Sequence, residues 1–224
     1  NICSVVENAK KSTDEVIIID SGSTDRTVDL AKEHGAKVSL RAWTDDFSVQ
    51  RNFALEQTNA DWVLYLDADE RLNDALIAEV KHIVASGKMD AQYAITRKSV
   101  AFGVTFSYGV LYPDHVLRMF PRESVTWVNK VHEHPECPLP AKRLPGYIEH
   151  HTYKDWHEWE EKLCLYTTIW AEDAYKRGKR TSLPSIFMHS LGGFFKMFVV
   201  RRGFLDGWIV SYLCCTHFFY TMLK

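Results

Sequence analysis

The chain has 224 residues and a formal net charge of −2, and 46% of its residues are hydrophobic. This length is enough for a substantial core, and the composition excludes a largely disordered chain. The small negative charge argues against a general nucleic-acid-binding protein. Five cysteines without any C-x-x-C pair argue against a disulfide framework and predict reduced thiols in a cytoplasmic protein.

Apolar runs and helical patterns alternate over the first ninety residues. Uninterrupted apolar runs are typical of strands that are buried on both faces of a parallel sheet. The expected elements are helices at 1–12, 25–34, 47–58 and 73–86 and strands at 15–20, 36–40 and 62–66. This alternation predicts an α/β fold with a mostly parallel central sheet and flanking helices.

The pattern changes after the first ninety residues. Residues 91–131 are rich in aromatic and β-branched side chains, which favours short mixed or antiparallel strands, most clearly at 116–120. Four prolines within 133–147 predict a largely irregular segment. The remaining elements, which have helical or apolar patterns, lie at 155–177, 183–202 and 204–223. We therefore predict one domain at 1–154 and a helical region at 155–224.

Three acidic residues follow two of the predicted strands. Asp20 closes one strand, and Asp67 and Asp69 follow the strand at 62–66, where open α/β sheets bind their ligands. Two carboxylates one residue apart repel each other unless a cation lies between them, and Mg²⁺ is often held by one or two carboxylates and substrate phosphates. The alternative is a solvated acidic turn that opens the next helix. Glu70 is expected to be a helix-start acid rather than a ligand.

The turn after the first strand offers a second set of polar groups. Asp20 can accept hydrogen bonds from a ribose or a nucleobase, as an acid does in dinucleotide-binding folds. The G-x-G-x-x-G turn that such a fold also needs is absent from this chain. An N-cap role stays open for Asp20, and a helix-start role that complements the helix dipole stays open for Asp25.

An ordered set of short motifs covers almost the whole chain. The motifs are DSGSTD at 20–25, QRN at 50–52, DADE at 67–70, YPDHVLRMF at 112–120, VHE at 131–133 and RRGFLDGW at 201–208. The first three, in this order and spacing, resemble family 2 glycosyltransferases of the GT-A fold. The last three resemble the bacterial branch of that family that includes lipopolysaccharide core glucosyltransferases.

The resemblance implies a role for each matched residue. It assigns to the nucleotide-sugar the residues Asp20, Ser23, Asp25, Arg51 and Asp67. It assigns Asp69 to Mn²⁺ or Mg²⁺ at the donor diphosphate, and His132 to the same metal or to the diphosphate. An inverting transfer also needs a carboxylate that deprotonates the acceptor hydroxyl, and we expect Glu133 in this role first and Asp114 second. Four histidines at 132, 134, 150 and 151 have a spacing that suits no common closed zinc site.

The N-terminus departs from the family pattern. Members of the family begin with a strand of the Ser-Val-Val-Ile type and a turn, whereas residues 1–6 look like the helix that follows that turn. We therefore expect that the first strand of the sheet is lacking, in a fragment of a longer protein or in an impaired one.

The C-terminal region predicts contact with a membrane. Residues 204–223 are about long enough to cross a bilayer, but they contain Asp206 and His217. The preceding helix, at 183–202, carries basic residues among aromatic ones, a composition typical of helices that lie in the membrane interface. Interfacial association is the main expectation, and a true span or packing against the catalytic domain are the alternatives. A surface-bound enzyme would suit a lipid-linked acceptor.

The predicted function is inverting, metal-dependent transfer of a sugar, expected to be glucose, from a UDP-sugar to a lipopolysaccharide core or another cell-envelope glycan. The expected location is the cytoplasmic face of the bacterial inner membrane. One alternative is a catalytically impaired, membrane-associated relative or fragment. Another is a haloacid-dehalogenase-type phosphatase, but that family has Ser or Thr where this chain has Arg71.

Overall fold

A computed structural model describes residues 2–130 and 133–224, and the chain forms two compact units. The first unit comprises residues 1–97 and 115–149, and the second comprises 98–114 and 150–224. The sequence predicted a division at 154/155, which assigns 98–114 to the catalytic domain. In the structure these residues pack instead with the C-terminal helices.

Helices and strands alternate at the start of the first unit. They are α1 (Ile2–Lys10), β1 (Ile17–Asp20), α2 (Thr27–Glu33), β2 (Lys37–Leu40), α3 (Phe47–Glu56), β3 (Trp62–Leu64), β4 (Glu70–Leu72) and α4 (Asp74–Ser86). The predicted ends of α4 are confirmed: Asn73 caps its first turn by accepting from the Leu76 N–H, and Gly87 ends it at φ 67°.

The chain continues mainly as strands. They are β5 (Gln92–Ala101), β6 (Val104–Thr105), β7 (Asp114–Pro121), β8 (Thr126–Val128), β9 (His134–Glu136) and β10 (Ala141–Tyr153). The prediction that 133–147 is largely irregular is wrong, because β9 and half of β10 lie there. Proline is compatible with a short strand, because its fixed φ suits a nearly extended chain and only one backbone donor is lost. Pro135 accordingly lies opposite Trp127 in the antiparallel pair of β8 and β9.

The predicted parallel pairing is found between β1 and β2, and the main sheet has a different strand order. β1 and β2 pair in parallel, as the sequence predicts, and form a sheet of their own. The main sheet has the order β3-β7-β5-β10-β4, so β7 lies between β3 and β5. β7 pairs with β3 in the antiparallel direction, with Leu64 opposite Met119. This insertion of a strand from later in the chain cannot be read from local alternation alone.

The core of the first unit lies between α4 and the main sheet. Leu76, Val80 and Ile83 of α4 are buried against Ile95 and other apolar residues of the strands. Gly146 of β10 allows this close packing, since a Cβ there would lie 2.5 Å from the backbone of Leu76. The core thereby holds the strands whose ends carry the acidic motif.

The second unit consists of helices around residues 98–114. Its elements are α5 (Trp156–Lys176), α6 (Leu183–Phe195), a π-helical segment (Lys196–Val200), a 3₁₀ segment (Gly203–Asp206) and α7 (Gly207–Leu223). The Asp206 carboxylate accepts the backbone N–H groups of Ser107 and Tyr108, both at 2.7 Å. The backbones of Gly109 and Gly203 lie in contact, which leaves no room for a Cβ on either. The RRGFLDGW motif therefore anchors residues 98–114.

One helical stretch has the length and composition to cross a membrane. It is Leu183–Val200, which joins α6 to the π-helical segment, and only 6% of it is buried inside the protein. Among the described residues it is the stretch that meets this criterion, whereas the sequence had pointed to 204–223. The later stretch is shorter as a helix because Gly203–Asp206 form a 3₁₀ segment before α7.

Candidate active site

The turn after β1 is built around the Asp20 carboxylate. Asp20 is 6% exposed, and its Oδ2 accepts the backbone N–H groups of Gly22 and Ser23 at 2.8 and 2.9 Å. Its Oδ1 accepts the Ser23 hydroxyl at 2.5 Å. The bond from the Ser23 hydroxyl is the main reason why the pKa of Asp20 is lowered, and burial opposes it. Asp20 is thus held as a carboxylate in a closed turn.

The same turn separates two alternatives that the sequence left open. α2 begins at Thr27, so Asp20 does not cap it. The Asp25 carboxylate accepts the Thr27 N–H at 3.0 Å, and its hydrogen bonds with Thr27 lower the pKa of Asp25. Asp25 therefore has the helix-start position, and its contact with a nucleotide-sugar stays a prediction.

Helix α3 connects the Asp20 turn to the rest of the site. Asp46 caps α3 by accepting the backbone N–H groups of Ser48 and Val49 at 2.9 and 3.2 Å, which starts the helix at Phe47. The QRN motif then falls in its first two turns. Gln50 donates to the Ser21 hydroxyl at 3.1 Å, next to Asp20.

Arg51 is the centre of the site. Its Nη2 donates to Asp67 Oδ1 at 3.2 Å and lies 3.7 Å from Glu133 Oε1. Its guanidinium carbon lies 4.6 Å from the Trp127 ring centroid and 5.8 Å from that of Tyr65, so it stacks on aromatic rings. Its buried Nε has no hydrogen-bond partner in the described part of the chain. The ion pairs and ring contacts therefore hold the Arg51 guanidinium in place.

The third residue of the motif holds the segment that carries Glu133. Asn52 donates to the Trp127 carbonyl at 2.8 Å and accepts the Trp127 N–H at 2.8 Å. This reciprocal pair attaches β8, and through it β9, to α3. Tyr65, packed edge-on against Trp127, donates to the Arg51 carbonyl at 3.3 Å, and burial raises the pKa of Tyr65 to about 12.

Asp67 lies between two arginines. Arg118 Nη2 donates to its Oδ2 at 2.7 Å, opposite the bond from Arg51 to Oδ1. Burial alone would raise the pKa of Asp67, but the charges of Arg118 and Arg51 outweigh it and hold the pKa below its usual value. Asp67 is therefore ionised at the end of β3.

Glu70 corrects one expectation. The sequence suggested a helix-start acid, but Glu70 begins β4, and α4 starts four residues later at Asp74. Its side chain is fully buried and accepts from Arg118 Nη2 at 2.9 Å. Glu70 therefore does not act as a solvated acid at a helix start. It is buried, so its charge must be compensated by groups inside the protein.

Arg71 holds the backbone of the loop that carries Asp69. Arg71 donates to the carbonyls of Ala68 and Glu70 at 3.1 and 2.7 Å and to the Ser4 hydroxyl of α1 at 2.7 Å. Burial lowers the pKa of Arg71, and the charge of Asp69 opposes that effect. Arg71, which stands where the phosphatase family has Ser or Thr, thus stabilises the acidic loop through its hydrogen bonds.

Residues 1–121 match the family model described as Glycosyl transferase family 2. The chain belongs to glycosyl transferase family 2. Uncharacterized glycosyltransferases of Rickettsia typhi and Rickettsia conorii are each 28% identical to it over 218 residues. The match covers 92% of this chain and 74% and 77% of those proteins.

A solved structure shares the fold of this chain. Residues 1–349 of Staphylococcus aureus TarS, in complex with UDP-GlcNAc, give a TM-score of 0.50 at 14% identity. The match covers 99% of this chain and 77% of that one, and shows the fold alone. The predicted α/β GT-A fold and the predicted enzyme class, a transferase, are confirmed. Membership of the family also excludes the phosphatase alternative.

The structure of this family 2 glycosyltransferase brings Arg51, Asp67 and Glu133 together and links the Asp20 turn to them through α3. Gln50 links the Asp20 turn to α3, and Arg51 links α3 to Asp67 and Glu133. Asp114 begins β7 and belongs to the second unit. His132 lies outside the described residues.

The sequence missed Arg118, Glu70 and Trp127 as parts of the site. Arg118 lies inside a quoted motif, but a single charge in a strand carries no signal of what it contacts. Only the antiparallel pairing of β7 with β3 brings it to Asp67. Trp127 was missed for the same reason, because its contact with Arg51 joins residues that are far apart in the chain.

The acidic loop after β3 offers carboxylates of the kind that a divalent cation takes together with a diphosphate. No group of three or more His, Cys, Asp or Glu side chains is arranged around a metal in the two described segments. Mg²⁺ commonly takes one or two protein carboxylates and completes its shell with phosphate oxygens and water. The resemblance assigns the metal to Asp69, whereas Asp67 is paired with Arg51 and Arg118.

Proposed function

We propose that this enzyme transfers a sugar from a UDP-sugar to a hydroxyl of a lipopolysaccharide core or another cell-envelope glycan, with inversion at the anomeric carbon. The observation that carries the proposal is the cluster at the end of β3, where Arg51 joins Asp67 to Glu133. The complex of TarS with UDP-GlcNAc supports a UDP-sugar as donor. The resemblance to lipopolysaccharide core glucosyltransferases supports glucose as the transferred sugar.

The donor side uses the groups around β1 and α3. Asp20 already accepts three hydrogen bonds, so about one of the four acceptor sites of its carboxylate is left for the nucleoside. Ser23 and Asp25 line the same turn. Arg51 contacts the nucleotide, and Asp67 accepts from the ribose.

The acceptor side uses Glu133 as general base. The acceptor hydroxyl attacks the anomeric carbon on the face opposite the diphosphate, and Glu133 takes its proton as the new C–O bond forms. The bond from the anomeric carbon to the diphosphate oxygen breaks, and the nucleoside diphosphate leaves with the electron pair. Arg51, 3.7 Å from Glu133, positions this carboxylate. Asp114 is the second candidate for the base.

Asp69 and His132 would hold Mn²⁺ or Mg²⁺ at the diphosphate. When bound, such an ion stabilises the negative charge that develops on the departing diphosphate, as a Lewis acid. Arg71 keeps the backbone of this loop in place through the carbonyls of Ala68 and Glu70. Asp69 therefore has a fixed backbone from which to present its carboxylate.

The function is tested with the full chain, a panel of UDP- and GDP-sugars and Mn²⁺. We expect donor hydrolysis, or transfer to a membrane extract, with one UDP-sugar. EDTA and Asp69→Ala should each reduce the rate about a hundredfold or more, since a metal-bound diphosphate is the assumed leaving group. Binding of UDP without any turnover would favour the catalytically impaired relative, and no nucleotide binding would contradict the proposal.

We also propose that the second unit binds the cytoplasmic face of the inner membrane, which brings the enzyme to a lipid-linked acceptor. The exposed face of α6 carries large apolar side chains, including Leu183 at 82% exposure, Phe187 and Met188. Clusters of exposed apolar side chains on a soluble protein often mark a site of contact with a protein or a membrane. Basic residues precede α6 at Lys176, Arg177, Lys179 and Arg180, and anionic headgroups attract such charges. Co-sedimentation with anionic vesicles tests this proposal.

A further inference from the structure

Glu70 is a buried carboxylate to which the proposed reaction assigns no role. Its side chain is 0% exposed, and its Oε1 lies 2.9 Å from Arg118 Nη2 and 3.5 Å from Arg97 Nη1. Its Oε2 accepts the backbone N–H of Asp67 at 2.9 Å. Burial of a charge is costly unless other groups compensate it, so these contacts account for how Glu70 is tolerated.

Arg118 joins Glu70 to the Asp67 side chain. A single nitrogen, Nη2, donates to Glu70 Oε1 at 2.9 Å and to Asp67 Oδ2 at 2.7 Å. The side chain of Arg118 is 5% exposed, and its buried Nε has no hydrogen-bond partner within the described residues. The two carboxylates are therefore the hydrogen-bonding partners that the described residues provide for this guanidinium.

The backbone explains why Arg118 lies there. β7 pairs with β3, and the Arg118 carbonyl accepts the Tyr65 N–H at 2.9 Å, just beyond the last residue of β3. This bond sets the register that brings the Arg118 side chain to the loop after β3. Glu70 then holds Asp67 twice, through its backbone N–H and through Arg118.

We propose that Glu70 and Arg118 form a positioning pair that orients the Asp67 carboxylate toward the nucleotide. The inference rests on the proposed function, in which Asp67 accepts from the ribose. Because Arg118 shares one nitrogen between two carboxylates, Asp67 is not saturated by a bidentate arginine and keeps acceptor sites for a ligand. Without Glu70, the buried guanidinium would pair with Asp67 alone and turn its carboxylate away from the ligand.

The test is UDP binding in the presence of Mn²⁺, measured by calorimetry on the full chain. We expect Glu70→Gln to weaken UDP binding about tenfold or more, because hydrogen bonds between charged groups of this kind are lost or rearranged. With a UDP-sugar, the loss should appear in KM for the donor, and kcat at saturating donor should change about threefold or less. Arg118→Lys keeps the charge but not the shared geometry, so it should weaken UDP binding similarly.

A double-mutant cycle separates this role from a general loss of structure. If Glu70 acts through Asp67, then Glu70→Gln added to Asp67→Asn should change UDP affinity by about twofold or less. Gln92→Leu is the control, because Gln92 is a buried polar residue whose amide donates to the carbonyls of Cys137 and Leu139. It should lower the thermal stability and leave UDP affinity unchanged.

Additive losses in the cycle, or a Glu70→Gln variant with wild-type UDP affinity, would overturn the positioning role. If Glu70→Gln does not fold, Arg118→Lys in the wild-type and Asp67→Asn backgrounds decides the same question. Failure of the wild-type chain to bind UDP would instead contradict the proposed function, and the positioning role with it.

Discussion

The acidic residues of the site differ in the groups that surround them. Asp20 is closed into a turn by Ser23, and Asp67 lies between Arg51 and Arg118. Asp25 lies at the surface just before α2 and accepts the Thr27 N–H. Each of these environments favours the ionised form, but for a different reason. Asp20 and Asp67 are therefore preorganised as acceptors before any ligand binds.

Asp20 gives a prediction of stability against pH. Its pKa is lowered in the folded state, so its contribution to stability is present above the unfolded pKa, about 3.9, and is lost as the pH falls through the folded value. Asp20→Asn should cost about 1–3 kcal/mol at neutral pH, because the amide replaces one acceptor oxygen by a donor. Urea unfolding at several pH values measures the difference between the variant and the wild type.

We expect that difference to shrink as the pH falls below about 4. Asp14→Asn is the control, since Asp14 is exposed in the turn before β1. If the difference in unfolding free energy between Asp20→Asn and the wild type is the same at all pH values, the charge of Asp20 does not contribute to stability.

At the scale of elements, α3 assembles the site. Its consecutive residues Gln50, Arg51 and Asn52 contact the turn after β1, the loop after β3 and the strand β8. Side chains at adjacent helix positions point about 100° apart, so one helical turn can contact three separate segments. The QRN motif is the local sequence signal of this arrangement.

Asn52→Ala tests the role of α3 in holding the Glu133 segment. The variant removes both hydrogen bonds to the Trp127 backbone, so β8 and β9 should shift relative to the donor site. We expect kcat for transfer to fall about tenfold or more, because a displacement near 1 Å of a reacting group has effects of that size. UDP affinity, measured by calorimetry, should change by about threefold or less if the donor groups stay in place.

Gln57→Ala is the matched control, because Gln57 ends α3 and contacts Ser39 and Phe53 rather than β8. It should leave kcat unchanged. An Asn52→Ala variant with normal kcat would contradict the role assigned to the Glu133 segment.

The contact of α4 with β10 gives a prediction of stability. A Cβ at Gly146 would lie 2.5 Å from the backbone of Leu76, so Gly146→Ala must push the helix away from the sheet. We expect a loss of about 1–3 kcal/mol in the free energy of unfolding, measured with urea. Gly192→Ala is the control: its Cβ would meet no atom within 4 Å, and alanine is the better helix former. Equal effects of the two substitutions would contradict this packing argument.

At the scale of the whole molecule, the predicted donor site and the proposed membrane contact belong to different units. The predicted donor-site residues lie in the first unit, and the exposed apolar face of α6 lies in the second. Residues 98–114 join the second unit through Asp206, so a segment from the middle of the chain belongs with the C-terminal helices.

Replacing Phe187 and Met188 by glutamate tests the membrane contact. The double variant should bind anionic phospholipid vesicles about tenfold more weakly, because two exposed apolar side chains no longer enter the interface. Val84→Glu is the control, since it places a new charge on exposed apolar surface of the first unit. Co-sedimentation at low and high salt measures both, and higher salt should weaken the wild-type binding. Equal binding by wild type and the double variant would contradict a role for α6.

The sequence by itself determined the alternation of strands and helices, the caps of α4 and the family, because periodicity, turn residues and motif order are local properties. It also placed Asp20 and Asp67 at strand ends. It could not determine that β7 lies between β3 and β5, that prolines lie in β9 and β10, or that Glu70 is buried in a strand. Only the tertiary structure decided these points, because strand pairing joins residues far apart in the chain. A buried charge such as Glu70 is stable only where the fold brings Arg118 to it.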